Sequence, residues 1–268
     1  MNPLRIEQMT AFDIAPAELV TLAAGLAVPL VSFWATAGMP GANPVTAENK
    51  RAVLDRLRDA PVRVDTVEAF MLGPDAAAAE PGIALAAELG ARAVVAVNVA
   101  TADASAAAAQ FAALCALAAR YGLQVALEPI WMGRTRTPAD GLRLIRESGA
   151  ANARLTVDLL HVVRSGTPLA GVAAIDAALF GSAQLCDGPA QIDRQSAIDE
   201  ASFERMVPGT GDFPVAEFLR LVPPGVPVGL EVPLRSLRES GVPARERTRR
   251  VVEATLALAR RVAAAPPG

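Results

Sequence analysis

The sequence predicts a single closed (β/α)8 barrel over residues 1–268, a TIM barrel, and three observations carry that prediction. The chain has 268 residues, close to the roughly 250 typical of a lone barrel of this type. Just over half of it is apolar, at 52%, which supplies a large core. Short β-branched runs alternate with Ala-, Leu- and Arg-rich segments of helical period, and they do so eight times.

Strands are expected at residues 4–9, 28–34, 62–70, 93–99, 123–130, 153–160, 178–186 and 226–232. Most are nearly continuous apolar runs, as parallel strands covered on both faces require. Helical segments fall at 47–59, 81–89, 105–121, 137–148 and 243–264, the last closing the count. Gly90, Gly122 and Gly149 each follow such a segment, where a left-handed carboxyl cap is favoured. Thr137 with Pro138 and Asp140 has the form of a helix start, Thr capping and Pro in the first turn. The Ala-rich stretch 75–80 is expected to be a loop running into a helix. No Gly-rich fingerprint follows the first strand, and no linker divides the chain, so an open doubly wound sheet and a two-domain layout both lose support.

Composition excludes several functions. A net charge of −3 with scattered arginines offers no footprint for nucleic acid. Cys115 and Cys186 are far apart and lack metal-finger spacing, which fits a reducing cytoplasm. Residues 19–47 carry no charge, but Gly25 and Pro29 split them into a helix and a strand, so no membrane span is expected. The amino terminus lacks the pattern of a secretory signal. With one histidine, His161, a multi-histidine metal cluster is impossible, and the single lysine, Lys50, lies in a helical segment away from any strand end.

In such a barrel the chemistry sits at the carboxyl ends of the strands. Glu128 ends strand five, Asp158 strand six and Glu231 strand eight, while Gln184 and Asp187 close strand seven. A carboxylate among Leu and Val costs several kcal/mol of desolvation unless it is paired, protonated or bound to a cation. A lone strand-end acid is readily explained as a helix cap or an arginine partner. Three acids on near-successive strands repel one another at one mouth, and a divalent metal is the simplest counter-charge.

The order Glu128-Pro129, Asp158-x-x-His161, Leu185-x-Asp187-Gly188, Arg205-x-x-Pro208-Gly209-x-Gly211 and Leu230-Glu231 resembles the xylose isomerase-like barrel superfamily. Its small sugar isomerases and epimerases, hydroxypyruvate isomerases and inosose dehydratases are the nearest by pattern. The resemblance implies that Glu128, Asp158 and Glu231 bind metal, with Glu128 and Glu231 also acting as acid and base. It further implies that His161 contacts substrate and that Arg205 orients it. At strand seven the family supplies a histidine ligand where this chain has Gln184. An amide oxygen is a weaker, harder donor than imidazole, so with Gln184 as fourth ligand Mg2+ or Mn2+ is favoured over Zn2+.

The implied reaction is proton transfer beside a carbonyl through an enediolate, with the metal polarising the oxygens and one glutamate taking the proton that the other returns. The expected partner is a small polyhydroxylated molecule, and a homo-oligomer is open. A dehydratase of a keto-polyol would use the same residues. A non-catalytic barrel with a degenerate metal site is the third alternative. Around this centre, Trp34 and Trp131 follow strand ends and could stack on a sugar, Arg134 and Arg136 could meet an acidic group, and the 208–211 turn lies where barrels often bind phosphate. Cys186 lacks a neighbouring base and reads as packing.

Overall fold

The computed structural model describes residues 2–35 and 42–264, so residues 36–41 of the uncharged 19–47 stretch lie outside it. Eight parallel strands, β1 (Leu4–Ile6), β2 (Leu30–Trp34), β3 (Arg63–Met71), β4 (Ala93–Val97), β5 (Gln124–Glu128), β6 (Ala153–Asp158), β7 (Phe180–Leu185) and β8 (Val228–Leu230), pair in sequence order. Pairing of β8 with β1, Arg5 opposite Gly229, closes the barrel. The expected TIM barrel is the observed fold.

The outer ring is formed by α1 (Pro16–Gly25), α2 (Lys50–Asp59), α3 (Glu80–Glu88), α4 (Ala104–Arg120), α5 (Pro138–Ser148) and α6 (Leu159–Arg164). It continues with α7 (Leu169–Ala173), α8 (Arg194–Phe203), α9 (Val215–Leu221), α10 (Arg235–Glu239) and α11 (Ala244–Ala264). Punctuation read from the sequence is present. Gly90, Gly122 and Gly149 have φ of 71°, 72° and 63°, a left-handed conformation that costs glycine little. Thr137 accepts the Asp140 amide and Asp140 returns a bond to the Thr137 amide, a reciprocal cap. The 75–80 stretch is a short 3-10 turn, Ala76–Ala79, capped by Asp75 and leading into α3.

One boundary differs with consequence. The expected strand 153–160 stops at Asp158, because the Asp158 side chain accepts the Leu160 amide at 2.8 Å and starts α6. The next residues, Leu159 and Leu160, continue the apolar run but belong to a helix. No helix of the described residues is long and apolar enough to cross a membrane.

The two faces of the strands differ sharply. Leu127 and Leu155 turn outward beneath α5, which approaches so closely that a Cβ on Gly141 would lie 2.6 Å from Leu155 Cδ1. The alternate residues turn into the barrel, where bulky aliphatic side chains are usual. Here that interior is polar. Thr156 and Ser182 share a hydrogen bond of 3.0 Å, Ser32 donates to Glu68 at 2.7 Å, and Arg5, fully buried, donates to Glu7 at 2.7 Å and also to Asp65. Arg92 closes the lower end through Asp65 at 2.7 Å. Burying these charges is tolerable only because each has a partner within reach.

Candidate metal and proton-transfer centre

At the carboxyl end of the barrel, Glu128, Asp158 and His161 each present a ligand-type atom, and these atoms lie within 4.8 Å of one another. Glu128 is the last residue of β5 and Asp158 the last of β6. His161 stands one turn into α6, with Nε2 3.6 Å from Glu128 Oε1 and 3.8 Å from Asp158 Oδ2. Capping by Asp158 therefore does two things: it begins the helix and brings the imidazole back over the strand ends. Burial holds His161 down to about 4, against the opposing pull of Asp158 and with help from Arg205. The imidazole is thus neutral near pH 7, the form that ligates metals, and its Nδ1 has no partner.

Glu231 follows β8, its amide tied to Leu185 O at 3.1 Å. Its Oε2 lies 2.9 Å from Arg205 Nη1, and the same nitrogen lies 2.9 Å from Asp158 Oδ2. One guanidinium thus bridges two of the three strand-end acids. Gln184 is fully buried on β7, and among the described residues neither its Oε1 nor its Nε2 has a hydrogen-bond partner. A buried amide without partners is costly. A cation accepted by Oε1 would relieve half of that cost.

The backbone around Arg205 is pinned on both sides. Asp187 and Met206 pair as an antiparallel bridge, as do Glu204 and Leu234, and the Arg205 amide donates to Pro233 O at 2.9 Å. Asp187 is consumed in building this corner. Its Oδ1 accepts the amides of Gly188 at 2.8 Å and Phe213 at 3.0 Å, and its Oδ2 that of Gly209 at 2.7 Å. Thr210 N donates to Val207 O and Asp212 N to Gly188 O. Four amides of the 209–213 segment are therefore engaged internally, which leaves little of the phosphate cradle its position suggested. A Cβ at Gly211 would stand 2.5 Å from Asp187 Oδ1.

The electrostatics separate the acids. Burial pushes Glu128 well above the ordinary carboxylate range, with Asp158 and Glu68 adding to it. Burial does the same to Glu231, opposed by Arg205. Asp158 is held below its ordinary value, because Arg205, His161 and the Leu160 amide together outweigh its burial. The remaining candidates are peripheral. Trp131 is buried with Arg194 5.6 Å from its ring centroid, Arg136 donates to Trp131 O at 2.8 Å, and Arg134 is exposed. Cys186 is fully buried with its thiol pushed well up by burial, and Lys50 on α2 pairs with Glu88 on the outside.

Glu7 and Glu68 form a second carboxyl pair, absent from the expected site. Glu68 is buried near the carboxyl end of β3, and Glu7 follows β1. The charge of Glu7 raises Glu68, and Glu68 in turn raises both Glu128 and Glu231. The criterion that selected Glu128, an acid inside an apolar run, applies equally to Val67-Glu68-Ala69-Phe70. Glu68 is pushed up to about 8, by burial first and Glu7 second. A carboxyl raised on folding stabilises fully below its ordinary value, and that contribution is lost as pH climbs through the folded value. Stability should therefore fall between about pH 4.5 and 8. Denaturant melts of Glu68→Gln across that window should show a flatter decline than the parent; an unchanged slope would remove Glu68 as its source.

The sequence model of the xylose isomerase-like TIM barrel matches residues 17–258. The chain belongs to that family. Among solved structures, the zinc-bound IolI protein superposes with a TM-score of 0.81 at 14% identity, over 97% of this chain and 99% of that one. D-allulose 3-epimerase from Methylomonas sp. gives 0.73 at 12% identity, covering 96% and 98%. The probable 3-DHS dehydratase AsbF from Bacillus anthracis gives 0.76 at 14% identity, covering 96% and 99%. No curated protein matches the sequence. These xylose isomerase-like neighbours are mostly enzymes, and a divalent metal fits both the family and the Glu128, Asp158 and His161 cluster.

Proposed function

We propose that this barrel is a divalent-metal-dependent isomerase or epimerase of a small sugar, keto-polyol or hydroxy-keto acid. The observation that carries the reading is the inequality of two glutamates at one enclosed centre, since Glu231 is tethered to Arg205 and Glu128 is not. Glu128, Asp158 and His161 would hold the ion, with Gln184 Oε1 as a further oxygen. Because oxygen supplies most of these donors, Mg2+ or Mn2+ is favoured over Zn2+. When bound, such an ion polarises a substrate carbonyl and stabilises the enediolate.

The protein's own residues account for the proton. Burial, Asp158 and Glu68 raise both glutamates, and Arg205 opposes the rise in both; only Glu231 touches the guanidinium, at 2.9 Å, so we assign Glu231 the role of accepting a proton beside the carbonyl, through the Oε1 that makes no bond to Arg205. Glu128, raised further by Asp158 and Glu68, keeps its proton and can return one on the other face. Burial keeps bulk water from the enediolate, while the acid that returns the proton exchanges with solvent between turnovers. The expected substrate is a small, unphosphorylated polyhydroxylated carbonyl compound. A dehydratase reading is kept alongside because AsbF superposes over nearly the whole chain, and loss of a hydroxyl needs the same acid and base.

Incubating the Mn2+-loaded protein in deuterated water with ketohexoses, ketopentoses and hydroxy-keto acids separates these readings. Isomerase or epimerase activity incorporates deuterium beside the carbonyl; a dehydratase releases water and gives an unsaturated product. In either case Glu231→Gln should lower turnover by about 10²-fold or more. Neither outcome with any substrate would favour a ligand-binding barrel.

A further inference from the structure

Arg205 is placed in an unusual position for a residue meant to meet substrate. It is 3% exposed. Its Nε and Nη2 donate to Ala201 O at 3.2 and 3.0 Å, anchoring the guanidinium to the end of α8. Its Nη1 faces Asp158 Oδ2 and Glu231 Oε2, each at 2.9 Å. Only one N–H of Nη2 is left over. The backbone bridges on either side of it fix the main chain from which the guanidinium reaches these acids.

We infer that Arg205 is a resident cation that competes with the divalent ion: its guanidinium occupies Glu231 Oε2 and shares Asp158 Oδ2, so the ion is left with Glu128, His161 and Gln184 as uncontested donors and a contested Asp158, and is held weakly. This rests on the cation centre proposed above. An always-charged guanidinium cannot be neutralised by a proton shift, so its repulsion of a nearby ion persists at every working pH. Its presence also explains how two buried acids are tolerated without metal, since one positive group satisfies both. Charge balance in the ion-free protein and weak ion binding are then two results of one contact. Glu231, freed of the ion, is left to handle protons.

Mn2+ titration of the full chain tests this, by calorimetry and by the electron paramagnetic resonance signal of free Mn2+. Arg205→Met should bind Mn2+ at least about tenfold tighter than the parent, within the range usual for coupled sites. Arg205→Lys, which keeps the charge, should stay near the parent. In the parent background Glu231→Gln should change affinity less than about threefold, whereas in the Arg205→Met background it should abolish the gain. An unchanged or weaker affinity in Arg205→Met overturns the inference. So does a tenfold loss from Glu231→Gln alone, and this second variant decides the matter if Arg205→Met does not fold. Failure of the parent to turn over any substrate would remove the proposed reaction while leaving these affinity comparisons intact.

Discussion

Replacing Gly229 with alanine is expected to destabilise the barrel by about 3–5 kcal/mol, the range for breaking a buried ion pair. The added Cβ would stand 1.7 Å from Glu7 Oε1 and 2.9 Å from Arg5 Nη2. Neither neighbour can move cheaply. Glu7 is fully buried and held by Arg5, and Arg5 is held in turn by Asp65. Either the pair separates, leaving charges uncompensated in the interior, or β8 moves away from β1 and opens the closure of the barrel. For a domain of this size the loss corresponds to a melting temperature lower by roughly 10 °C. A differential scanning experiment in which Gly229→Ala melts within about 2 °C of the parent would show that the lumen is looser than these contacts require. The same change at Gly225, which has open space and a φ of 84°, should cost only about 1 kcal/mol, the price of a left-handed alanine.

Asp158 is the second position where a large effect is expected, and two substitutions divide it into parts. Asp158→Ala removes the Leu160 cap and one acid from the Arg205 bridge. Loss of the buried pair costs about 3–5 kcal/mol and loss of the cap about 1 kcal/mol more. Asp158→Asn keeps an oxygen for the Leu160 amide and the shape of the site while removing the negative charge. It should retain most of the helix cap, lose less stability than the alanine variant, and still bind Mn2+ at least about tenfold more weakly than the parent, because a carboxylate ligand is gone. Denaturant titrations paired with Mn2+ calorimetry measure both quantities on the same samples. Equal stability of the two variants would mean that the cap contributes nothing; unchanged Mn2+ affinity in Asp158→Asn would place the ion away from Asp158.

The barrel itself was legible because its signals are local. Alternating β-branched and Ala-rich segments, glycines at helix ends and the Thr137 cap all act over a few residues, and each appears in the structure where the sequence puts it. The end of β6 is not legible in the sequence because Leu159 and Leu160 extend an apolar run, while Asp158, a strand-end acid, stops the strand by capping α6. The short helices α7, α9 and α10 carry too few turns to display a period.

Convergence of Glu128 and Asp158 followed from strand order alone. The partnership of Arg205 with Asp158 and Glu231 did not, since it joins residues 47 apart through a corner built by Asp187. The polar lumen was hidden for a different reason. Arg5, Glu7, Asp65 and Glu68 stand among valine, isoleucine and threonine, so they read as strand residues, and only closure of the barrel sets them against one another.

Whether side chains from separate strands meet around one cation is read from the anomalous scattering of a crystal soaked in Mn2+. A single peak is expected within about 2.0–2.6 Å of oxygens from Glu128 and Asp158, close to His161 Nε2, with Arg205 still bridging Asp158 and Glu231. No peak at the mouth, or one whose nearest carboxylate is Glu231 with Arg205 displaced, would contradict it.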